Sequence, residues 1–199
     1  MHMKIGTIIS ALLSLAFSSA IHASTYTSPD GNIGFDLPAD GSLVEVKNPP
    51  APATAMWEVK GGGRLIFLTQ PDPQNHLLTL SALEEGTRTS FPGSTLLPSS
   101  ETTENGVPVF TVSAVTKTGG HIQQTILVFN KTLYKLMAVG PKSISSDPHF
   151  SVSFQSLKIL DPEPNSPRKK FSGSDLGAKF GVLILFIAAV VWVIRKIVT

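Results

Sequence analysis

The sequence predicts an α+β fold: an antiparallel β-sheet built on a meander, covered by two helices in an α/β/α-sandwich-like arrangement, with one C-terminal transmembrane helix. Three observations lead there. Runs of β-branched and aromatic residues alternate with Gly, Pro and Asn turns through most of the 199-residue chain. Two segments carry helix start signals instead, and the C-terminus holds an unbroken apolar stretch.

Residues 1–23 begin with Lys4, run through an apolar stretch from 5 to 17 and close on SSAIHAS. That is the pattern of a secretory signal peptide, with Ala20 and Ala23 both acceptable to a signal peptidase. The exported domain, 24–160, opens TYTSPDGNIGFDLPADG, where strands over 25–28 and 33–37 flank a turn. Pro29 fixes φ, Asp30 can cap, and Gly31 tolerates positive φ. A phosphate-cradling loop needs a glycine-rich turn feeding a helix; here a strand follows, so the stretch reads as a domain edge.

Further strands are predicted over 43–47, 56–59 and 64–70, the first two separated by NPPAPA and the third ended by QPDPQN. Ser81, with Glu84 three residues later, forms a capping box that starts a helix, and Phe91-Pro92-Gly93 stops it. Leu80, Leu83 and Thr87 fall on one side of it. Strands over 107–117 and 121–129 meet at a tight Thr118-Gly119-Gly120 turn, and Asn130-Lys131-Thr132 leads into another over 134–139. Asp147 caps a second helix with Pro148 at its first position, where the missing N–H costs nothing. Phe150, Phe154 and Leu157 recur at i, i+4 and i+7, so one helix face packs on the sheet, and a short last strand ends the domain.

Residues 161–179, DPEPNSPRKKFSGSDLGAK, read as an extended tether. Its Arg168, Lys169 and Lys170 beside Phe171 either rest on anionic headgroups or are simply solvated. The transmembrane helix is predicted over 180–194, whose 15 uncharged residues, at about 1.5 Å each, fall slightly short of a roughly 30 Å hydrocarbon core. Lys179, Trp192, Arg195 and Lys196 are the membrane-interface residues that make up the difference. Arg168, Lys169, Lys170 and Lys179 outnumber Arg195 and Lys196, but a long exported domain crosses largely regardless of its charges. The domain is therefore expected on the periplasmic or extracellular side of the cell membrane, with 195–199 as a short cytoplasmic tail. Two processing signals share this pattern: a sorting signal with the PEP tripeptide at 162–164, and a lipid-anchor signal at Ser172, Gly173 and Ser174.

The chain has no cysteine, so disulfides and thiolate metal sites are excluded and the domain must rely on its core. Between Ser24 and Asp161 nine Lys and Arg face twelve Asp and Glu, a net of about −3, and nothing resembles a basic nucleic-acid face. His76, His121 and His149 lack metal-ligand spacing, so no metal or cofactor is expected. Lys117-Thr118-Gly119 matches one box of the serine β-lactamases, but in the domain no serine lies three residues ahead of a lysine, and a hairpin turn explains it. Glu84 and Glu85 point about 100° apart on a helix and form no carboxylate pair. Asn130-Lys131-Thr132 fits a glycosylation sequon, though a hairpin turn explains it better.

GFDLP near the start, a meander ending LYKLMAVGP and a capped helix running into SFQSLKIL resemble the PsbP and DcrB superfamily, through Gly34-Phe35, Pro38, Tyr134, Ser153-Phe154 and Leu157. The resemblance covers most of 25–160; after Pro38, where relatives often have a tryptophan, this chain has Ala39-Asp40-Gly41. Such proteins are mostly binding or accessory proteins, so the resemblance implies no reaction. The expectation is a non-catalytic, membrane-anchored extracytoplasmic binding or accessory module of an envelope protein assembly. Its partners would be membrane lipid and an envelope protein, not nucleic acid. The alternative is a carrier that holds a small apolar ligand between sheet and helices. A hydrolase ranks third, because no nucleophile and base can be named together.

Overall fold

The computed structural model describes residues 24–60, 62–72 and 76–160. Strands β1 (Thr25–Thr27) and β2 (Ile33–Asp36) form the opening hairpin, with Thr25 opposite Asp36. Gly31, at φ +77°, donates to Ser28 O at 2.8 Å in the turn, the left-handed geometry that its missing Cβ allows.

Eight strands make the main antiparallel sheet: β3 (Leu43–Glu45), β4 (Ala55–Val59), β5 (Arg64–Pro71), β6 (Thr95–Leu96), β7 (Ser100–Glu104), β8 (Val107–Val115), β9 (His121–Phe129) and β10 (Thr132–Gly140). Their order is β3-β4-β5-β10-β9-β8-β6, with β7 also paired to β8. The meander read from the sequence is its centre. Asn130 and Lys131, at φ +46° and +58°, make the β9–β10 turn, as a two-residue primed turn requires. The Lys117-Thr118-Gly119 stretch is the β8–β9 turn, closed by Thr116 N donating to Gly120 O at 2.8 Å.

The expected cover is corrected. One face of the main sheet carries not a helix layer but a second, three-stranded sheet, β1-β2-β11, in which β11 (Lys158–Ile159) sets Lys158 opposite Gly34. The hairpin forms it because Ile33 and Phe35, both fully buried, need an apolar surface. They find it on Trp57, Leu65, Phe67, Tyr134 and Leu136. Tyr26 meets Trp57 edge-on at 5.1 Å and Phe35 at 5.0 Å between ring centroids, so the two sheets interlock through aromatic rings. Helix α2 (Pro148–Gln155), preceded by a 3₁₀ turn at Ile144–Ser146, only completes this layer. Ser153 donates to Asp36 O and Ser156 Oγ accepts from Asp36 N, each at 2.8 Å, pinning α2 to β2, while Phe150 is fully buried. Helix α1 (Leu80–Ser90) covers the other face, packing near Phe110, Val112 and Ile126.

The start of α1 is a second correction. Thr79, extended at φ −127° and ψ 148°, is the cap and accepts from Ala82 N, because the helix begins one residue before the Ser81–Glu84 box. Among the described residues no helix is long and apolar enough to cross a membrane. The proposed membrane helix 180–194, the signal 1–23, the linker 161–179 and the tail 195–199 lie outside the described residues.

Candidate functional site

The sequence offered no nucleophile with a base, yet the fold brings Ser42, His149 and Asp40 together. His149 stands in the first turn of α2, where Asp147 caps its backbone N–H at 3.0 Å. Its Nδ1 lies 2.8 Å from Ser42 Oγ and 3.5 Å from Asp40 Oδ2. A hydrolytic triad needs the hydroxyl on one ring nitrogen and the carboxylate on the other, so that the carboxylate orients the base that takes the serine proton. Here both meet the same nitrogen. The cluster therefore ties the loop after β2 to α2, and hydrogen bonds from the Ser42 side chain and backbone hold the exposed Asp40 carboxyl below its usual range.

His76 and His121 are elsewhere. His76 pairs through Nδ1 with Asp72, whose carboxylate also receives His76 N at 2.6 Å. Asp72 is 7% exposed at the end of β5, so these contacts supply hydrogen-bond partners to a nearly buried carboxylate. His121 opens β9 opposite Gly140. Among the described residues no three His, Asp or Glu side chains are placed to hold a metal. Glu85 is exposed and pairs with Arg88 one turn on. The membrane-interface residues Lys179, Trp192, Arg195 and Lys196 lie outside the described residues.

The opening turn has a structural use that the sequence did not reveal. Tyr134 on β10, 1% exposed, donates to Asp30 and accepts from Asn32 Nδ2 at 2.8 Å. Ser28 Oγ donates to the same carboxylate at 2.5 Å. Burial and the Asp30 hydrogen bond push the Tyr134 hydroxyl up to about 12. Burial alone would raise Asp30, but the hydrogen bonds from Ser28, Tyr134 and Asn32 outweigh it and hold the carboxyl below its usual range. The hairpin is thus latched to the main sheet.

Two features have no evident structural purpose. The outer edge of β3, at the end of the main sheet, pairs with no strand among the described residues, and its Val44 is 52% exposed. Lys135, beside Tyr134 on β10 and so facing the α1 side, is only 8% exposed, and burial lowers its amine to about 8. Nothing in LYKLMAVGP marked this lysine, since one polar residue in an alternating strand ordinarily faces water.

No protein-family model and no curated protein matches the chain. The chain aligns with solved structures. The solution structure of cyanobacterial PsbP (CyanoP) from Synechocystis aligns with a TM-score of 0.54 and 11% identity over 68% of this chain and 91% of that one. The crystal structure of LpqN, involved in cell envelope biogenesis of Mycobacterium tuberculosis, aligns with a TM-score of 0.47 and 11% identity over 70% of this chain and 91% of that one. At such identity the likeness to CyanoP is one of fold alone, and the described domain has a PsbP-like fold.

Proposed function

We propose that the chain is an exported, non-catalytic binding or accessory module that meets another protein of the cell envelope through the outer edge of β3. The observation that carries this reading is Val44, 52% exposed on an edge strand with no partner among the described residues. Edge strands are normally blunted by charge, proline or a covering loop. This one presents Val44 ahead of Glu45, while Leu43 packs on the chain's own core, so an added strand would gain main-chain hydrogen bonds along the edge and an apolar contact at Val44. The resemblance to PsbP and DcrB proteins supports the same class of function. The alternative of an apolar-ligand carrier has less support, because the chain's own Phe35, Phe67, Leu83 and Phe110 fill the layers beneath both covers.

The test places a photo-crosslinking residue at position 45 of the full chain in the cells that make it. The expected result is one adduct with an exported protein, lost when Val44 becomes Lys. No adduct, or one indifferent to V44K, overturns the reading. Fractionation of the same cells tests the signal peptide and the membrane location: recovery of the chain in the cytoplasm would end the envelope reading.

A further inference from the structure

At the end of the main sheet opposite β3, little holds β7 in place. It pairs with β8 alone, from Ser100 opposite Thr111 to Glu104 opposite Val107. Ser100, Glu101, Thr102 and Thr103 are exposed and Glu104 is half-buried. Among the described residues its one side-chain hydrogen bond runs from Thr102 Oγ1 to Val109 O, at a long 3.4 Å. Neither Glu101 nor Glu104 forms an ion pair among the described residues. A strand with so few buried contacts and so much exposed ladder opens locally at low free energy.

The turn that carries β7 into β8 is Asn105-Gly106, with φ of +49° and +78°, the left-handed pair that a two-residue primed turn demands. Both residues are exposed. The side-chain amide carbon of an asparagine is an electrophile, and the backbone nitrogen of the next residue can close a five-membered ring onto it. The following residue decides how readily this happens. Glycine puts no side chain in the way. At the other asparagines among the described residues the nitrogen belongs to Ile33, to Lys131, or to Pro49, which has no N–H to give up. Ring closure needs a backbone geometry other than that of the closed left-handed turn, so it proceeds when the β7–β8 hairpin opens. At Asn105 the sequence supplies the reactive pair and the weakly held edge strand supplies the opening.

We propose that Asn105 is a self-modification site whose conversion releases β7 from the sheet. Hydroxide removes the Gly106 N–H proton, the nitrogen attacks Asn105 Cγ, the N–Cγ bond forms and the Cγ–Nδ2 bond breaks. The leaving nitrogen takes a proton from water and departs as ammonia. Water then opens the ring. Attack at Cγ breaks the new bond and leaves aspartate; attack at the main-chain carbonyl breaks the original peptide bond and leaves isoaspartate, whose main chain runs through Cβ and Cγ. Either product sets a carboxylate beside Glu104, which has no ion-pair partner to share. Isoaspartate also adds a main-chain carbon to a turn of two residues, and the register of Glu104 opposite Val107 does not survive that insertion. This site is separate from the β3 edge and does not depend on the accessory reading.

The test incubates the full chain in mildly alkaline buffer and follows each asparagine by peptide mass spectrometry as amide is exchanged for acid, with isoaspartate separated from aspartate by chromatography. Asn105 is expected to convert about tenfold or more faster than Asn32 or Asn130, the ratio that about 1.4 kcal/mol of easier opening would give. Hydrogen exchange of the converted chain should show protection lost over residues 100–104 and kept in β9 and β10. Asn105→Gly keeps positive φ accessible and removes the amide, so its β7 should stay protected through the same incubation. Conversion no faster than at Asn32 and Asn130 overturns the proposal. So does protection of β7 that survives conversion, or an equal loss of it in Asn105→Gly.

Discussion

Replacing Lys135 by Met keeps an unbranched chain of similar length and removes only the ammonium. Burial lowers the amine from 10.5 to about 8. At about 1.36 kcal/mol for each tenfold change in proton affinity, that is a penalty of roughly 3 kcal/mol on the folded state when the amine is charged. Because the folded value lies below the unfolded one, the penalty is full below pH 8, shrinks as the pH climbs toward 10.5 and vanishes above it. The Lys135→Met variant should therefore be more stable than the parent at pH 7 by up to about 3 kcal/mol, and the gain should largely disappear at pH 10. Of the charged residues of α1, Glu85 and Arg88 are exposed and paired, and Glu84 is half-exposed. With a urea slope of about 1–3 kcal/mol per M, the midpoint at pH 7 should rise by about 1–3 M. A variant less stable than the parent at pH 7, or a gain equal at both pH values, would refute the claim that desolvation of this amine strains the fold.

Tyr134→Phe removes the hydroxyl that latches Asp30; a hydrogen bond to a charged group contributes about 1.5–3 kcal/mol, and the exposure of Asp30 brings the expected loss to about 1–2 kcal/mol by urea titration. Since the folded Asp30 value is depressed, that stability is present at neutral pH and lost as pH falls through the folded value, and Asp30→Asn should flatten the acid limb. Phe150→Ala empties a fully buried ring position and should cost about 3–5 kcal/mol, read as a lower thermal midpoint. Gly63→Ala sets a Cβ 2.9 Å from Phe150 Cζ and Val139 O at φ +123°, whereas Gly62→Ala at φ +101° meets nothing. Calorimetry should show both variants destabilised by backbone strain of about 1–3 kcal/mol, with Gly63→Ala clearly the worse.

Elements with local signals were legible: the Pro-Asp-Gly hairpin, the two-turn meander, and α2 with its Asp147-Pro148 start all rest on neighbouring residues. What escaped depends on partners far along the chain. Strand β7, SETTE, is almost wholly exposed and has no apolar alternation; it is a strand because β8 offers it a ladder, with Glu101 opposite Phe110. The second sheet required knowing that Lys158 would lie opposite Gly34. That glycine leaves room for Leu160, whose side chain a Cβ would meet at 3.0 Å. No window of a few residues contains that pairing, so a helix cover was the natural reading of two helix signals.

The buried polar residues of β10 escaped for a related reason. Adjacent residues on a strand face opposite ways, so Tyr134 and Lys135 carry contrary demands: the tyrosine latches the three-stranded sheet while the lysine enters the layer under α1. Local pattern assigns such a lysine to solvent, and it would be right if α1 were absent. The helix arrives with Gly86, Thr87 and Ser90 inward, a face too small and polar to bury a core efficiently, and its Thr87 accepts from Gln124. An apolar residue at 135 would join the apolar clusters of Leu68 and Ile126, its neighbours on β5 and β9, into one and stabilise the domain. A chain that instead keeps a charge there, at about 3 kcal/mol in its disfavour, is spending stability on something other than folding.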